Sequence, residues 1–434
     1  MSVHTLSGTF LSVLGSPERL APRSFGDRSL AIYQCRTAVI SRLFNYVRDW
    51  NGDEAPDSAL YGAACEVDPV LAELKALGEA AERYTSAVLD VQHLRVASAD
   101  ALGPEAFQWH RLPSLSDAER QLPGQGLAPF SPNATMRWLP AMDMATGLNA
   151  YLPVVMTHLY PRAWTSERFT YPISTGTALH PDPRRAILSA VLEVIERDAL
   201  SLNWILRRPL RRIQLSPTDR TRFDATTWEL LQRRDILLYE ATTDIGMPVV
   251  YARRHRPAHP RCANVFGCAC DANLVDAIGK AAREAIMISH ALEGSNHIPP
   301  KAPIDCTLII DGACMMMAPE RNEAFAFLDT GGAITLAALL DTAALPSPVD
   351  AQLDAVLDML KAHDQPVYVT EISSDETLDV GLRAFRAVMP GMMPLSFVHS
   401  ARFLGSRRLA DAHRIWKLPA PLQDCINPWP QPFS

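Results

Sequence analysis

Apolar residues recur at helical spacing in the stretches 69–95, 183–205, 272–293 and 349–363. In the first, Leu74, Leu77, Ala81 and Val88 share one face. In the second, Leu188, Val191, Ile195 and Leu202 do the same. Each set is the stripe that a helix turns toward a core. Short runs at 248–252, 307–310 and 366–371 predict strands between them. Helices and strands interleave, so the pattern predicts an α/β class with sheets flanked by helices. Periodicity fails at 101–135, 253–262 and 345–352, which predict loops. The first of these has a length that usually serves function or linkage. Trp138, the methionines at 315–317, and Met389, Met392 and Met393 are expected in the core or on an adaptable contact surface.

Three of the helical segments repeat one layout. Asp68, Asp182 and Asn273 each stand 11 positions before a glutamate: Glu79, Glu193 and Glu284. An Asx residue at the N-cap accepts a free backbone N–H. Pro69 and Pro183 follow at the first helical position, where no donor is needed. The helices therefore carry their acids at a common depth, about 16 Å from the cap. Beside the apolar stripe runs a polar row. It is Lys75, Glu79, Glu82, Arg83 on the first helix and Ser189, Glu193, Glu196, Arg197 on the second. The third retains Lys280 and Glu284. The echo spans about 20 residues per copy and is not a full domain repeat.

Residues three and four apart are neighbours on a helix, so Glu79 and Glu82, like Glu193 and Glu196, repel unless a cation lies between them. The adjacent arginine supplies part of that charge, and a divalent ion supplies more. Carboxylates suit Mg²⁺, which takes one or two of them with phosphates and water, and arginine grips phosphate oxygens in pairs. Two such helices face to face would make a nucleotide site without a glycine loop. No G-x-x-x-x-G-K-[ST] or G-x-G-x-x-G motif is present. Solvated helix faces with Glu–Arg pairs are the plainer alternative.

Composition narrows the partners. The 434 residues are 48% hydrophobic and 21% charged, ordinary globular values, with 34 prolines that predict many kinked loops. The net charge is −7 and no run of five Lys or Arg occurs, which argues against nucleic acid or an anionic membrane as the main partner. The first 20 residues lack the basic segment of a signal peptide, and no stretch approaches 18 apolar residues. Eight scattered cysteines form no disulfide scaffold, so a cytoplasmic protein with reduced thiols is expected.

ALGEAAERY (76–84) and ISTGTALHPDPRRAILSAVLEVIERDAL (173–200) resemble the two ATP-binding signatures of the YcaO family. RAVMPGMMPLSFVHSARFLGSRRL (386–409) is similar to its later Pro-Gly and Gly-x-Arg-Arg region. The ending NPWPQPFS fits the P-x-P-x-P terminus of azoline-forming members. The resemblance runs from about residue 60 to 434, within one YcaO domain spanning 1–434, with 1–60 as its N-terminal part or a small appended segment.

The resemblance implies an ATP-dependent cyclodehydratase that makes thiazoline or oxazoline from Cys, Ser or Thr in a ribosomally made precursor peptide, as in bacteriocin biosynthesis. ATP and Mg²⁺ are the implied cofactors. Glu79, Glu82, Glu193 and Glu196 would hold the metal. Lys75, Arg83, Ser189, Arg197 and Glu284 would join them around the nucleotide. Pro428, Pro430 and Pro432 would stiffen an extended tail that brings Ser434, a candidate base through its α-carboxylate, to the active site. The chain's length leaves no room for a fused leader-binding domain, so an E1-like or ocin-type partner is implied. A flavin dehydrogenase subunit and a homodimer or larger complex are compatible with it. Thioamide or amidine formation, and an ATP-incompetent scaffold that binds partners, stand as alternatives.

Some positions depart from the family pattern. Lys75 stands where the family often has Ser, free to reach a phosphate or pair with Glu79. Met287 and Ser289 stand near positions where the third segment commonly shows Gln and Arg, which puts that segment's role in question. His255, His259, Cys262, Cys268 and Cys270 could suggest zinc, but two prolines stiffen the loop and C-x-C is unusual spacing for a structural site.

Overall fold

The computed structural model describes residues 3–8, 12–44, 60–340 and 348–433. Fourteen strands among the described residues form three sheets. The first comprises β1 (Glu18–Leu20), β2 (Ala31–Arg36) and β3 (Tyr61–Glu66), in that order and antiparallel. The second contains β4 (Arg95–Ala97), β5 (Met136–Asp143), β6 (Asn149–Pro153) and β7 (Thr177–His180), joined by β13 (Tyr368–Glu371) and β14 (Arg383–Val388). Its order is β4-β5-β13-β14-β7, with β6 against β5. The third contains β8 (Arg211–Gln214), β9 (Ile236–Glu240), β10 (Val249–His255), β11 (Asn264–Cys270) and β12 (Ala333–Thr335), in the order β11-β10-β9-β8-β12. Only β12 on β8 is parallel.

Three long helices carry the repeated layout: α1 (Pro69–Ala87), α2 (Pro183–Ile205) and α3 (Leu274–Gly294). Each begins as its sequence requires. Asp68, Asp182 and Asn273 accept the amides of Val70, Arg184 and Val275 at 2.9, 3.0 and 3.0 Å. Each helix directly follows the last strand of one sheet: β3, β7 and β11 respectively. The mixed architecture is the predicted α/β class. Shorter helices follow as α4 (Ile309–Met316), α5 (Val349–Ala362) and α6 (Arg407–Ile415).

The α2 stripe is buried as its periodicity predicts: Leu188, Val191, Ile195 and Leu202 are all in the core. On α1 the stripe is rotated. Leu77 and Ala81 are buried with Ala72, Ala76 and Ala80, whereas Leu74 is 43% exposed. Small residues, not Leu74, face β3, because helix and strand approach too closely for a large side chain. The run at 307–310, read as a strand, instead leads into α4. Asp311 accepts the amides of Thr307 and Leu308, both at 2.8 Å, and turns the chain into a helix. The first helical stretch also ends earlier than 95: α1 stops at Ala87, and β4 begins at Arg95. The break at 345–352 lies partly outside the described residues.

The proline-rich tail runs through the interior. Pro430, Gln431, Pro432 and Phe433 are buried. The Phe433 ring meets Tyr251 at 5.2 Å and Phe266 at 5.6 Å. Gly312 of α4 permits this path: a Cβ there would lie 2.2 Å from the Gln431 carbonyl oxygen. Trp138 is fully buried and its indole donates to Ala97 O at 2.9 Å. All six singled-out methionines are buried as well.

Candidate functional site

A glycine stands 17 residues before each aligned glutamate: Gly62 before Glu79, Gly176 before Glu193, Gly267 before Glu284. Gly62 and Gly267 lie where strand and helix nearly touch. A Cβ on Gly62 would meet Ala80 N at 2.2 Å, and one on Gly267 would meet Ala285 N at 2.5 Å. Gly176 has φ +85° and packs against Ala387 O of β14. This closeness lets the acids reach the strand edges. Glu79 accepts the Ala63 amide at 2.9 Å, Glu193 that of Gly176 at 2.9 Å, and Glu284 that of Cys268 at 2.6 Å. Glu196 crosses to β11 and accepts the Cys270 amide at 2.9 Å. Each of β3, β7 and β11 is the terminal strand of its sheet. The site is therefore a meeting point of three sheet edges, whose outward amides are satisfied by carboxylates from the three helices.

The acids are near enough to perturb one another across helices. Burial pushes the Glu82 carboxyl well above the usual range; Arg83 opposes this, while Glu193 and Glu79 add to it. Burial likewise raises Glu196 to about 8, against the pull of Arg197 and with Glu284 and Glu193 pushing further. Glu284 rises to about 7 from burial, against Arg197 and the Cys268 amide, with Glu79 and Glu193 adding repulsion. The cluster is recessed rather than sealed. Glu79, Glu82, Glu193 and Glu196 keep 33%, 18%, 25% and 12% of their side-chain surface accessible.

Arg83 pairs with Glu79 at 3.0 Å and Glu82 at 3.8 Å, and Arg197 lies 3.7 Å from both Glu193 and Glu196. Sequence reasoning missed a third arginine. Arg386 of β14 is buried beside Glu193 and Glu82, and donates to Met156 O at 3.1 Å and to the Thr177 hydroxyl at 2.9 Å. Desolvation draws its pKa down to about 10 although both acids oppose the shift. It opens the quoted segment 386–409, but lies nearly two hundred residues from Glu193 and has no local pattern of its own.

Other candidates fall in different places. Lys75 ion-pairs with Glu66 rather than Glu79, and Lys280 with Asp271 in the matched position on α3. Glu66 also binds Arg283 at 3.0 Å, linking α1 to α3. Ser189 is exposed one turn before Glu193. Glu284 is brought into the cluster. The positions in question on α3 point elsewhere: Met287 packs in the core, and Ser289 accepts Arg256 at 2.9 Å. Pro428 is exposed, Pro430 and Pro432 are buried, and Ser434 lies outside the described residues. His259 Nδ1 accepts the Cys262 amide at 2.9 Å, while Cys268 and Cys270 bury their thiols in the main core.

Five carboxylates face three arginines here, so two negative charges remain when all are ionised. Oxygen donors and an excess of two negative charges fit a hard divalent cation. Among the described residues no three His, Cys, Asp or Glu side chains converge tightly enough to hold a metal unaided. Mg²⁺ characteristically takes one or two carboxylates and fills the rest of its shell with water and phosphate oxygens.

The cluster thus offers oxygen ligands and arginines together at a triple sheet edge. Residues 64–393 match the family described as YcaO cyclodehydratase, ATP- and Mg²⁺-binding, and the chain belongs to that family. No match was found among curated protein sequences. Three solved structures share the fold. A heterocyclase in complex with substrate and cofactor is 19% identical, with TM-score 0.79 over 99% of this chain and 56% of its own. The heterocyclase TruD is 20% identical, with TM-score 0.64 over 85% of this chain and 52% of its own. YcaO from Methanopyrus kandleri, bound with AMPPCP and Mg²⁺, is 15% identical, with TM-score 0.60 over 86% of this chain and 85% of its own. The chain thus spans just over half the length of the first two. Among the described residues no helix is long and apolar enough to cross a membrane.

Proposed function

We propose that this chain is the ATP-dependent cyclodehydratase of a peptide-modifying system, forming thiazoline or oxazoline from Cys, Ser or Thr of a ribosomally made precursor. The observation that carries the reading is the convergence of Glu79, Glu82, Glu193, Glu196 and Glu284 with Arg83, Arg197 and Arg386. In this reading Glu79, Glu82, Glu193 and Glu196 hold Mg²⁺, and the three arginines neutralise phosphate. ATP supplies the phosphoryl group that turns the amide oxygen of the cyclised adduct into a leaving group.

The chain's own contribution is position and charge, which dominate phosphoryl transfer. Fixed main-chain amides hold Glu79, Glu193, Glu196 and Glu284 from one side, so little reorganisation is needed as charge develops. Glu196 and Glu284, whose pKa values rise to about 8 and 7, can hold or release protons near neutrality. The reading includes an E1-like or ocin-type leader-binding partner. The first two structural neighbours carry nearly as much chain again beyond the part matched here.

Mass spectrometry of a Cys- and Ser-bearing precursor coexpressed with the chain and its partner tests the reading. Loss of one water per ring, dependent on ATP, is expected. Exchange of sulfur for oxygen would replace it with thioamide formation. Failure to bind Mg-ATP with or without the partner would leave only a scaffold.

A further inference from the structure

Two adjoining cavities lie beside the acid cluster and together outline a trough. The inner one, about 90 Å³, reaches Arg386 and Val194, the residue after Glu193. The outer one, about 370 Å³, lies in the long loop region and is walled by Trp109, Leu127 and Phe130 among others. Leu112, Pro113, Phe169 and Phe403 line both, so the two cavities adjoin across these four side chains. Phe403 is held there at φ +58°, a conformation that non-glycine residues rarely adopt.

The lining is apolar and aromatic, and no carboxylate lines either part. Cations stand only at its ends: Arg386 inside, Arg120 and His110 outside. Gln125 on the outer wall donates to Glu119 O at 2.8 Å, but its Oε1 is buried with no hydrogen-bond partner. A buried acceptor without a partner is unfavourable, which a backbone N–H entering the trough would relieve.

We propose that this trough is a subsite for the substrate peptide, taking the residues that adjoin the reacting Cys, Ser or Thr and preferring small or apolar side chains among them. The inference rests on the cyclodehydratase reading and deepens it. Arg386, in the wall of the inner cavity and beside Glu193 and Glu82, puts a side chain seated there next to the acids. The narrow inner part admits a small side chain, and the wider outer part admits several residues. An acidic residue beside the reacting one would enter an apolar channel with no counter-charge along its length and is disfavoured.

Binding and turnover are read separately. A synthetic peptide with one Cys next to benzoylphenylalanine is photo-crosslinked to the chain in complex with its partner. Adducts on 109–115, 169–175 or 403 are expected, and adducts confined elsewhere would overturn the proposal. Thr170→Glu puts a carboxylate into the inner wall outside the core. In that variant kcat/KM for peptides with Lys beside the Cys should rise about tenfold relative to those with Asp, with the KM for ATP unchanged. Unaltered peptide preference in both Thr170→Glu and Leu112→Glu would refute it. Crosslinking at the trough without any loss of water from the peptide would keep the subsite and reject the cyclodehydratase reading.

Discussion

Glu196 of α2 and Glu284 of α3 accept the amides of Cys270 and Cys268, two residues apart on the edge of β11. Amides two apart on a strand point the same way, so two helices are pinned side by side to one edge. The pinning holds like charges together, and both carboxyls are pushed toward neutrality.

The pH dependence of stability follows from their burial, with that repulsion adding to it. Folded pKa values near 8 and 7 lie above the ordinary 4.5, so the unfolded chain ionises first as pH rises. The contribution of these groups to stability is full below about 4.5 and is lost as pH climbs through 7 to 8. Nucleotide-free protein should melt at a higher temperature at pH 5.5 than at pH 8.5. Mg-ATP should oppose the trend and release protons on binding. Glu196→Gln should flatten the profile, raise Tm at high pH by roughly 2–4 °C, and abolish turnover. Scanning fluorimetry across pH, with calorimetry in two buffers, checks each part.

The glycines under the acids permit a contrast. Gly62→Ala and Gly267→Ala each place a Cβ within 2.5 Å of helix backbone and should destabilise the fold by at least about 1–3 kcal/mol. Gly78→Ala, on α1 with nothing within 4 Å, should stabilise by about 0.5–1 kcal/mol. Denaturant titration of all three distinguishes close approach from general intolerance to substitution.

Asp198 sits one residue beyond Arg197, fully buried, and accepts Arg408 and the Met393 amide, the latter at 2.9 Å. Arg408 also binds both oxygens of Asp244 at 2.8 Å. Arg408→Ala leaves two carboxylates without their cation and should destabilise by about 3–5 kcal/mol. Arg408→Lys keeps the charge but not the fork, and should recover only part of that. Urea unfolding at neutral pH measures both.

The tail offers the fourth test. Phe433→Ala removes a fully buried ring from between Tyr251 and Phe266 and should destabilise by about 3–5 kcal/mol. Tyr251 lies within the field of Glu196 and Cys268, so turnover should fall as well. Phe433→Leu should restore most stability; comparing kcat between the two separates packing from position.

Much of the site was legible because it is helical. An N-cap, a proline and two acids at fixed spacing are local signals that mark Glu79, Glu82, Glu193 and Glu196 with Arg83 and Arg197, while Glu284 is marked by its cap and spacing alone. Arg386 was illegible because its relation to Glu193 exists only through the pairing of β14 with β7. Lys75 was misplaced for a similar reason: its partner Glu66 lies at the end of the preceding strand, not on the helix. Leu74 was assigned to the core because periodicity cannot see how close a neighbouring strand will come. The tail's interior path depends on Gly312, which carries no sign of it in sequence.

Four of the five acids, Glu79, Glu193, Glu196 and Glu284, are anchored to main-chain amides and not to particular side chains of the strands. Cys268 and Cys270 could drift to other small residues while the amides beneath Glu284 and Glu196 stay where they are. Such an arrangement makes the geometry of the acids depend on the path of the backbone and not on the side chains of β11.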